Sequence, residues 1–331
     1  MKHNRINRFF LIILCLFLAA LLAIVYMPVF TKFPACLVVS QSETDELVSL
    51  GDELVPLSGK TNTFVRNPVA PGTVTFSNAS AVIDVSNVSE GYVMVKYTAG
   101  YAKIKVQIKK NGVKTYTYDI KSYGSYEVFP LTMGDGNYSI NVFKNVDGTS
   151  YAQVLGGNVD VKLSNSFLPY LYPSQYVNFD ATSTTVEKSE ELAKYAAGDL
   201  EIVSNVYNYV INDISYDEQK AAIVKSGYLP VVDDILDKKK GICFDYAALM
   251  AAMLRSQQVP TRLEVGYVSG GAYHAWLSTY IKDVGWINNM IQFDGKSWKM
   301  MDPTFASGSG QSASVMKYIG NGSNYDTQYY Y

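Results

Sequence analysis

Cysteine and histidine are scarce in this chain, and each shortage narrows the chemistry open to it. Among 331 residues there are three cysteines and two histidines. Cys15 lies inside an apolar run, so Cys36 and Cys243 are the sole pair that oxidation outside a cell could join, and a disulfide framework is excluded. His3 precedes the same run, which leaves His274 as the one imidazole available to a site beyond it. One Cys and one His fall short of the three or four protein ligands of a usual zinc site, so no metal and no other cofactor is expected. Excess charge is also lacking: 28 basic and 30 acidic residues leave a net charge of -2. That balance gives no field to hold a nucleic-acid backbone, and nucleic acid is not an expected partner.

What the chain does have, first, is a long uncharged apolar run from Phe9 to Phe30, preceded by Lys2, Arg5 and Arg8. It is long enough to cross a bilayer core as a helix. Glu43, Asp45, Glu46, Asp52 and Glu53 follow it, so the positive-inside bias sets the orientation N-in and C-out. Residues 1–31 therefore read as a signal anchor that holds the protein in the membrane through residues 9–30, with the remainder extracytoplasmic, at the cell surface. A cleaved signal usually has an apolar core of roughly 7 to 15 residues, so an uncleaved anchor is favoured, and a secreted protein is the alternative. Cys36 follows Phe33-Pro34-Ala35 and lacks the Leu that opens a lipidation box, which disfavours a lipoprotein.

Residues 32–62 are acidic and without periodicity, as in a tether. Beyond them the pattern switches to period two. Ile104, Val106 and Ile108 alternate with lysines and Gln107, Asn111-Gly112 suits a two-residue hairpin, and Tyr116, Tyr118 and Ile120 resume the alternation. Tyr138, Ile140 and Val142, then Val159, Val161 and Leu163, repeat it, so residues 63–166 are expected to form an antiparallel, Ig-like β-sandwich, with a cell-wall or surface ligand as its conceivable partner. Residues 167–184 hold Pro169 and Pro173 but are too apolar for a flexible linker and are expected to pack between two folded units. A capped helical pattern then opens a second domain over residues 185–306, and residues 307–331, rich in Gly, Ser, Asn and Tyr, read as a tail.

The chemistry concentrates in that second domain. Gly241-Ile242-Cys243-Phe244-Asp245 opens a helix at the cysteine, where the dipole and free N–H groups favour thiolate over thiol. Asp245 is placed to support that helix start, while Lys238 to Lys240 read as a solvated loop. His274 lies in Tyr273-His274-Ala275-Trp276, an apparent strand, and Asp302 ends another in Trp298-Lys299-Met300-Met301-Asp302-Pro303-Thr304. A carboxylate there could fix the imidazole tautomer. Cys243 alone would more often be a buried hydrophobe, His274 a structural histidine and Asp302 a turn residue; the three contexts together favour catalysis. Trp276 and Trp298 read as packing groups. Tyr216, ahead of the cysteine helix, is a candidate oxyanion donor or else a core tyrosine.

In these three segments, in this order, the sequence resembles the transglutaminase-like superfamily, which sets a Gly-x-Cys helix, a His-Ala-Trp strand and an Asp-Pro-Thr strand end. Cys243 and His274 lie 31 positions apart and His274 and Asp302 lie 28 apart; the second spacing implies a hairpin within residues 282–294. The resemblance implies an α+β, papain-like core over residues 185–306 and a Cys243-His274-Asp302 triad that acts by acyl transfer on a protein or peptide substrate. Hydrolysis of peptide or amide bonds in surface proteins or cell-wall peptides is the expected outcome. Cross-linking of glutamine to lysine is the alternative, and a catalytically silent adhesion or scaffold protein is the reading from another class.

Overall fold

Alternating β-branched and aromatic residues build the first half of the molecule. The computed structural model describes residues 62–110, 112, 114–268, 271, 273–282, 284–287, 292–293, 298–299 and 325–331. The expected anchor and nearly all of the expected tether lie outside the described residues; among the described residues, no helix is long and apolar enough to cross a membrane. Strands β1 (Thr75–Ser77), β2 (Ala81–Asp84), β3 (Tyr92–Tyr97) and β6 (Tyr126–Pro130) form one antiparallel sheet in the order β1-β2-β3-β6. Strands β4 (Ile104–Lys110), β5 (Lys114–Asp119), β7 (Gly136–Asp147) and β8 (Ser150–Val161) form a second, in the order β5-β4-β7-β8. Register follows the apolar pattern: Ile108 lies opposite Tyr116 on one side and Ile140 on the other, and all three are buried. A slip by one residue would turn that whole set to solvent. Lys110 pairs with Lys114, so the hairpin at Gly112 has a three-residue loop rather than the expected two.

The prolines and aromatics after the second sheet pack as the sequence implies. Leu168, Tyr170, Leu171, Val177 and Phe179 are buried. Gln175 donates to the main-chain oxygen of Asp119 at 2.7 Å and to buried Glu127, whose carboxylate also takes the N–H groups of Lys121 and Ser122 at 2.6 Å each. The connection is thereby fixed to the β-sheets by hydrogen bonds as well as by apolar contact, although the buried Gln175 Oε1 has no partner among the described residues.

The helices follow as α1 (Thr184–Ala193), α2 (Asp199–Asp213), α3 (Glu218–Ile223), α4 (Val232–Lys238) and α5 (Cys243–Ser256). From Asp245 to Ser256 every residue of α5 is buried, because its alanine-rich sequence is apolar on all sides and suits a central helix. Around it stand α1 and α2 on one side and, on the other, a sheet of β11 (Thr261–Val268), β12 (Tyr273–Ile281), β13 (Gly285–Ile287) and β16 (Tyr325–Tyr330) in the order β13-β12-β11-β16. The expected hairpin after the histidine strand is present as the β12–β13 pair, with Ile281 opposite Gly285. Between β13 and β16 lie β14 (Gln292–Phe293) and β15 (Trp298–Lys299), a short antiparallel pair.

Two expectations change. Residues 325–331 are no tail: β16 pairs antiparallel with β11, and Tyr331 is buried and exchanges main-chain hydrogen bonds with Leu263 at 2.8 and 2.7 Å. Their tyrosines carry an apolar ring and a polar tip, so one face of the strand fills the core while the other meets polar groups. The two separate cores also merge. Buried residues of the β-sheets and of the helical half form one continuous cluster, joined where Tyr118, Tyr176 and Tyr331 pack ring against ring at 4.6–5.8 Å between centroids.

Candidate active site

Helix α5 starts where a tight approach forces it to. Strand β9 (Ser215–Tyr216) pairs in parallel with β10 (Lys240–Gly241), Gly241 lying opposite Tyr216. A Cβ on Gly241 would come within 2.7 Å of the Asp245 Cβ, so only glycine lets the chain turn this closely into the helix. Ile242 is the N-cap in an extended conformation, and with no side-chain oxygen it cannot cap the helix itself. Asp245 does so from within: its Oδ2 accepts the main-chain N–H of Ile242 at 2.9 Å. Cys243 is the first residue of the helix, as the sequence implies.

The thiol is partly buried, and main-chain N–H groups of Ala275, Phe244 and Cys243 itself point at it. Burial nevertheless pushes its pKa above that of an ordinary thiol; the N–H groups of Ala275 and Phe244 pull it down, and the charge of Asp245 pushes it up. The helix start therefore lowers the cost of a thiolate without making the thiolate the resting form. Ala275 is the neighbour of His274 on β12, so the N–H that reaches the sulfur belongs to the strand that carries the imidazole.

His274 stands opposite Gly266 of β11 and stacks on Trp276, with centroids 6.5 Å apart and rings 25° from parallel. Its pKa is lowered by burial, and its Nε2 is buried with no hydrogen-bond partner among the described residues. Trp276 is wholly buried and donates its indole N–H to Glu264 at 3.0 Å, the packing role expected of it. The Trp298 side chain lies outside the described residues.

Cys243 and His274 open into one cavity of about 350 Å3, lined also by Tyr176, Tyr228, Phe244, Tyr273 and Tyr331. Lys225 is the one formally charged side chain in its lining, and no carboxylate lines it among the described residues. Tyr216 is brought beside Cys243 by the β9–β10 pairing. Burial raises its phenol pKa, and the nearby cysteine adds to the shift, but the ring packs toward the core rather than lining the cavity. Asp302 lies outside the described residues. Among the described residues, no three His, Cys, Asp or Glu side chains come together as metal ligands. Sequence reasoning missed Tyr176, Tyr228 and Tyr331. Each comes from an irregular segment or strand end, and no local motif marks it.

Residues 187–289 match the family model of the transglutaminase-like superfamily. The match is shorter than the expected 185–306 and stops before Asp302. No curated protein matches the chain. Similar solved structures include a candidate cysteine protease from Cytophaga hutchinsonii, 16% identical over 63% of this chain and 66% of that one, with a TM-score of 0.32. The periplasmic domain of TgpA from Pseudomonas aeruginosa is 14% identical over 56% of this chain and 88% of that one, with a TM-score of 0.26. Red sea bream transglutaminase is 10% identical over 64% of this chain and 48% of that one, with a TM-score of 0.26. The chain thus spans just under two thirds of the first of these proteins and about half of the last. At scores this low the family model alone carries the assignment. The chain therefore contains a transglutaminase-like domain at residues 187–289, and Cys243 and His274 both fall within it.

Proposed function

We propose that this protein is a thiol enzyme that cleaves peptide or amide bonds by acyl transfer through Cys243, His274 and Asp302. The observation that carries the reading is the shared cavity: a thiol at a helix start and an imidazole on the adjoining strand, with the N–H of Ala275 at the sulfur. In the first step His274 takes the thiol proton as sulfur attacks the carbonyl carbon, giving a tetrahedral oxyanion. The N–H of Cys243 is one donor for that oxyanion, a good donor being worth about 3 kcal/mol; Tyr216, the candidate second donor, does not line the cavity and would have to turn its hydroxyl toward it. Collapse breaks the C–N bond, His274 returns its proton to the departing amine or ammonia, and a thioester remains. Asp302 would accept from the Nε2 of His274, which is buried with no partner among the described residues, and so hold the tautomer in which Nδ1 is free to act as the base.

Water then resolves the thioester. Support for hydrolysis over cross-linking comes from the cavity mouth, where Tyr273 is 58% and Val224 40% exposed, so solvent reaches the rim. Mass spectrometry of a glutamine peptide incubated with and without a lysine peptide separates the outcomes: acid product is expected, and an isopeptide would replace hydrolysis with cross-linking. Cys243→Ala should abolish either activity and leave the circular dichroism unchanged; an active variant would remove the assignment. Failure of iodoacetamide to label Cys243 at any pH at which the chain stays folded would favour a silent adhesion protein.

The anchor at residues 9–30, N-in and C-out, and a cell-surface location belong to the same proposal and rest on the sequence pattern. So does the Ig-like reading of the two sheets. It is supported by the chain crossing between them after β3, β5 and β6, which is a Greek-key feature.

A further inference from the structure

The first turn of α5 buries a charge that a helix cap does not require. Asp245 is fully buried, and besides the Ile242 N–H its carboxylate takes the Lys220 ammonium at 2.5 Å and the Tyr228 hydroxyl at 2.6 Å. Lys220 also donates to the Tyr228 oxygen at 2.6 Å and lies 4.3 Å from the centre of that ring. Lys220 comes from α3, Asp245 from α5, and Tyr228 from the segment 224–228 that lines the cavity, so three elements meet at one carboxylate. A neutral Ser or Thr at the N-cap satisfies an ordinary helix start without burying any charge. A buried ion pair adds little stability over apolar packing, so its presence two residues from the thiol calls for another account.

We propose that Lys220 and Asp245 are positioning residues for the thiol chemistry: Asp245 fixes the helix start that presents Cys243, and Lys220 cancels its charge so that the sulfur can ionise. The charged and titratable groups around the sulfur are Asp245 on its own helix, His274 and Tyr273 on β12, Tyr216 on β9, Lys225 and Tyr228 on the cavity wall, and Tyr176 and Tyr331 across the cavity. Among the described residues Asp245 is the one carboxylate of this set, and it already disfavours the thiolate with its partner in place. Without Lys220 that opposition is uncompensated. Through Tyr228 the same pair also holds the 224–228 wall against the helix start.

The proposal rests on Cys243 being the reacting group, but its test reads the thiol itself and needs no substrate. The rate of iodoacetamide labelling at Cys243 is followed against pH by site-resolved mass spectrometry of the full chain, with circular dichroism as the check on folding. Lys220→Met should move the labelling midpoint up by about one pH unit, the scale of losing one neighbouring charge, and Lys220→Arg should restore it. Asp245→Asn should move it down, and the double variant Lys220→Met/Asp245→Asn, which buries no charge, should lie near the parent. Opposite signs for the two single substitutions support the role. A common sign for the two single substitutions, or an unshifted midpoint in a folded Lys220→Met or a folded Asp245→Asn variant, overturns it. An inactive Cys243→Ala alongside unshifted midpoints would remove this inference alone and leave the enzyme reading standing.

Discussion

At the scale of single residues, the resting place of one proton sets the pH profile. Burial raises the Cys243 pKa and lowers that of His274 below 6.5, so at neutral pH the pair rests as thiol and imidazole rather than as an ion pair. The imidazole must be neutral to accept the thiol proton, and a lowered pKa keeps it neutral to lower pH. The acid limb of kcat/KM is therefore expected below pH 6.5. A carboxylate at Nε2 favours the imidazolium, so Asp302→Asn should move that limb further down while cutting kcat about 10²–10⁴-fold. Rate profiles on a peptide amide check both; an acid limb above neutrality, or an upward move in Asp302→Asn, would sink this assignment of roles. Cys243 and His274 were legible in the sequence because each carries its own local context, Gly-x-Cys and His-Ala-Trp. Lys220 and Tyr228 were not, since an ion pair between residues 25 positions apart leaves no periodicity to read.

At the scale of elements, β16 shows what pattern reading loses. The alternation in β4 and β5 announces itself because each strand buries one apolar face, whereas Tyr325–Tyr330 mixes aromatic and polar residues and becomes a strand only once β11 offers an edge. Its end is tied to the central helix. Arg255 is fully buried, and its guanidinium donates to the main-chain oxygens of Tyr331 at 2.7 Å, Tyr172 at 2.9 Å and Thr261 at 2.9 and 3.0 Å. Burial among these neutral acceptors lowers the Arg255 pKa to about 9, so each carbonyl that holds it matters. Removing residues 325–331 would take away one charged hydrogen bond, about 1.5–3 kcal/mol, and the burial of Tyr331, about 1.5–3 kcal/mol. A loss of at least about 3 kcal/mol in urea unfolding is expected, together with loss of the Tyr331 cavity wall. A truncated chain of parent stability would show that β16 is an accessory edge.

At the scale of the whole molecule, the question is whether the β-sheets serve the catalytic half or merely precede it. The polar seam between them is dense. Thr132 donates to the main-chain oxygen of Tyr330 at 2.8 Å, the Tyr330 N–H donates to the Tyr116 hydroxyl at 3.2 Å, and Lys114 donates to the main-chain oxygen of Gln328. At the far end of α5, the Phe64 N–H donates to Ser256 at 2.8 Å, and Arg66 donates to Gln258 at 3.0 Å. The apolar side is continuous too: Tyr118 of β5 meets Tyr331, and Tyr176 of the connection meets both Tyr331 and Phe244, the residue after the nucleophile. Separating the halves would expose these rings to water, at about 25 cal/mol for each Å2 of apolar surface. Neither half should then open alone before the other. Residues 62–331 are expected to unfold in a single urea transition in which far-UV circular dichroism, dominated by both halves, coincides with the exposure of Cys243 to a thiol reagent. Two separated transitions, with Cys243 becoming reactive while the β-sheets persist, would show that the seam is weaker than its contacts imply. In that event the β-sheets would be a spacer, whereas a single transition makes them a structural wall of the active site.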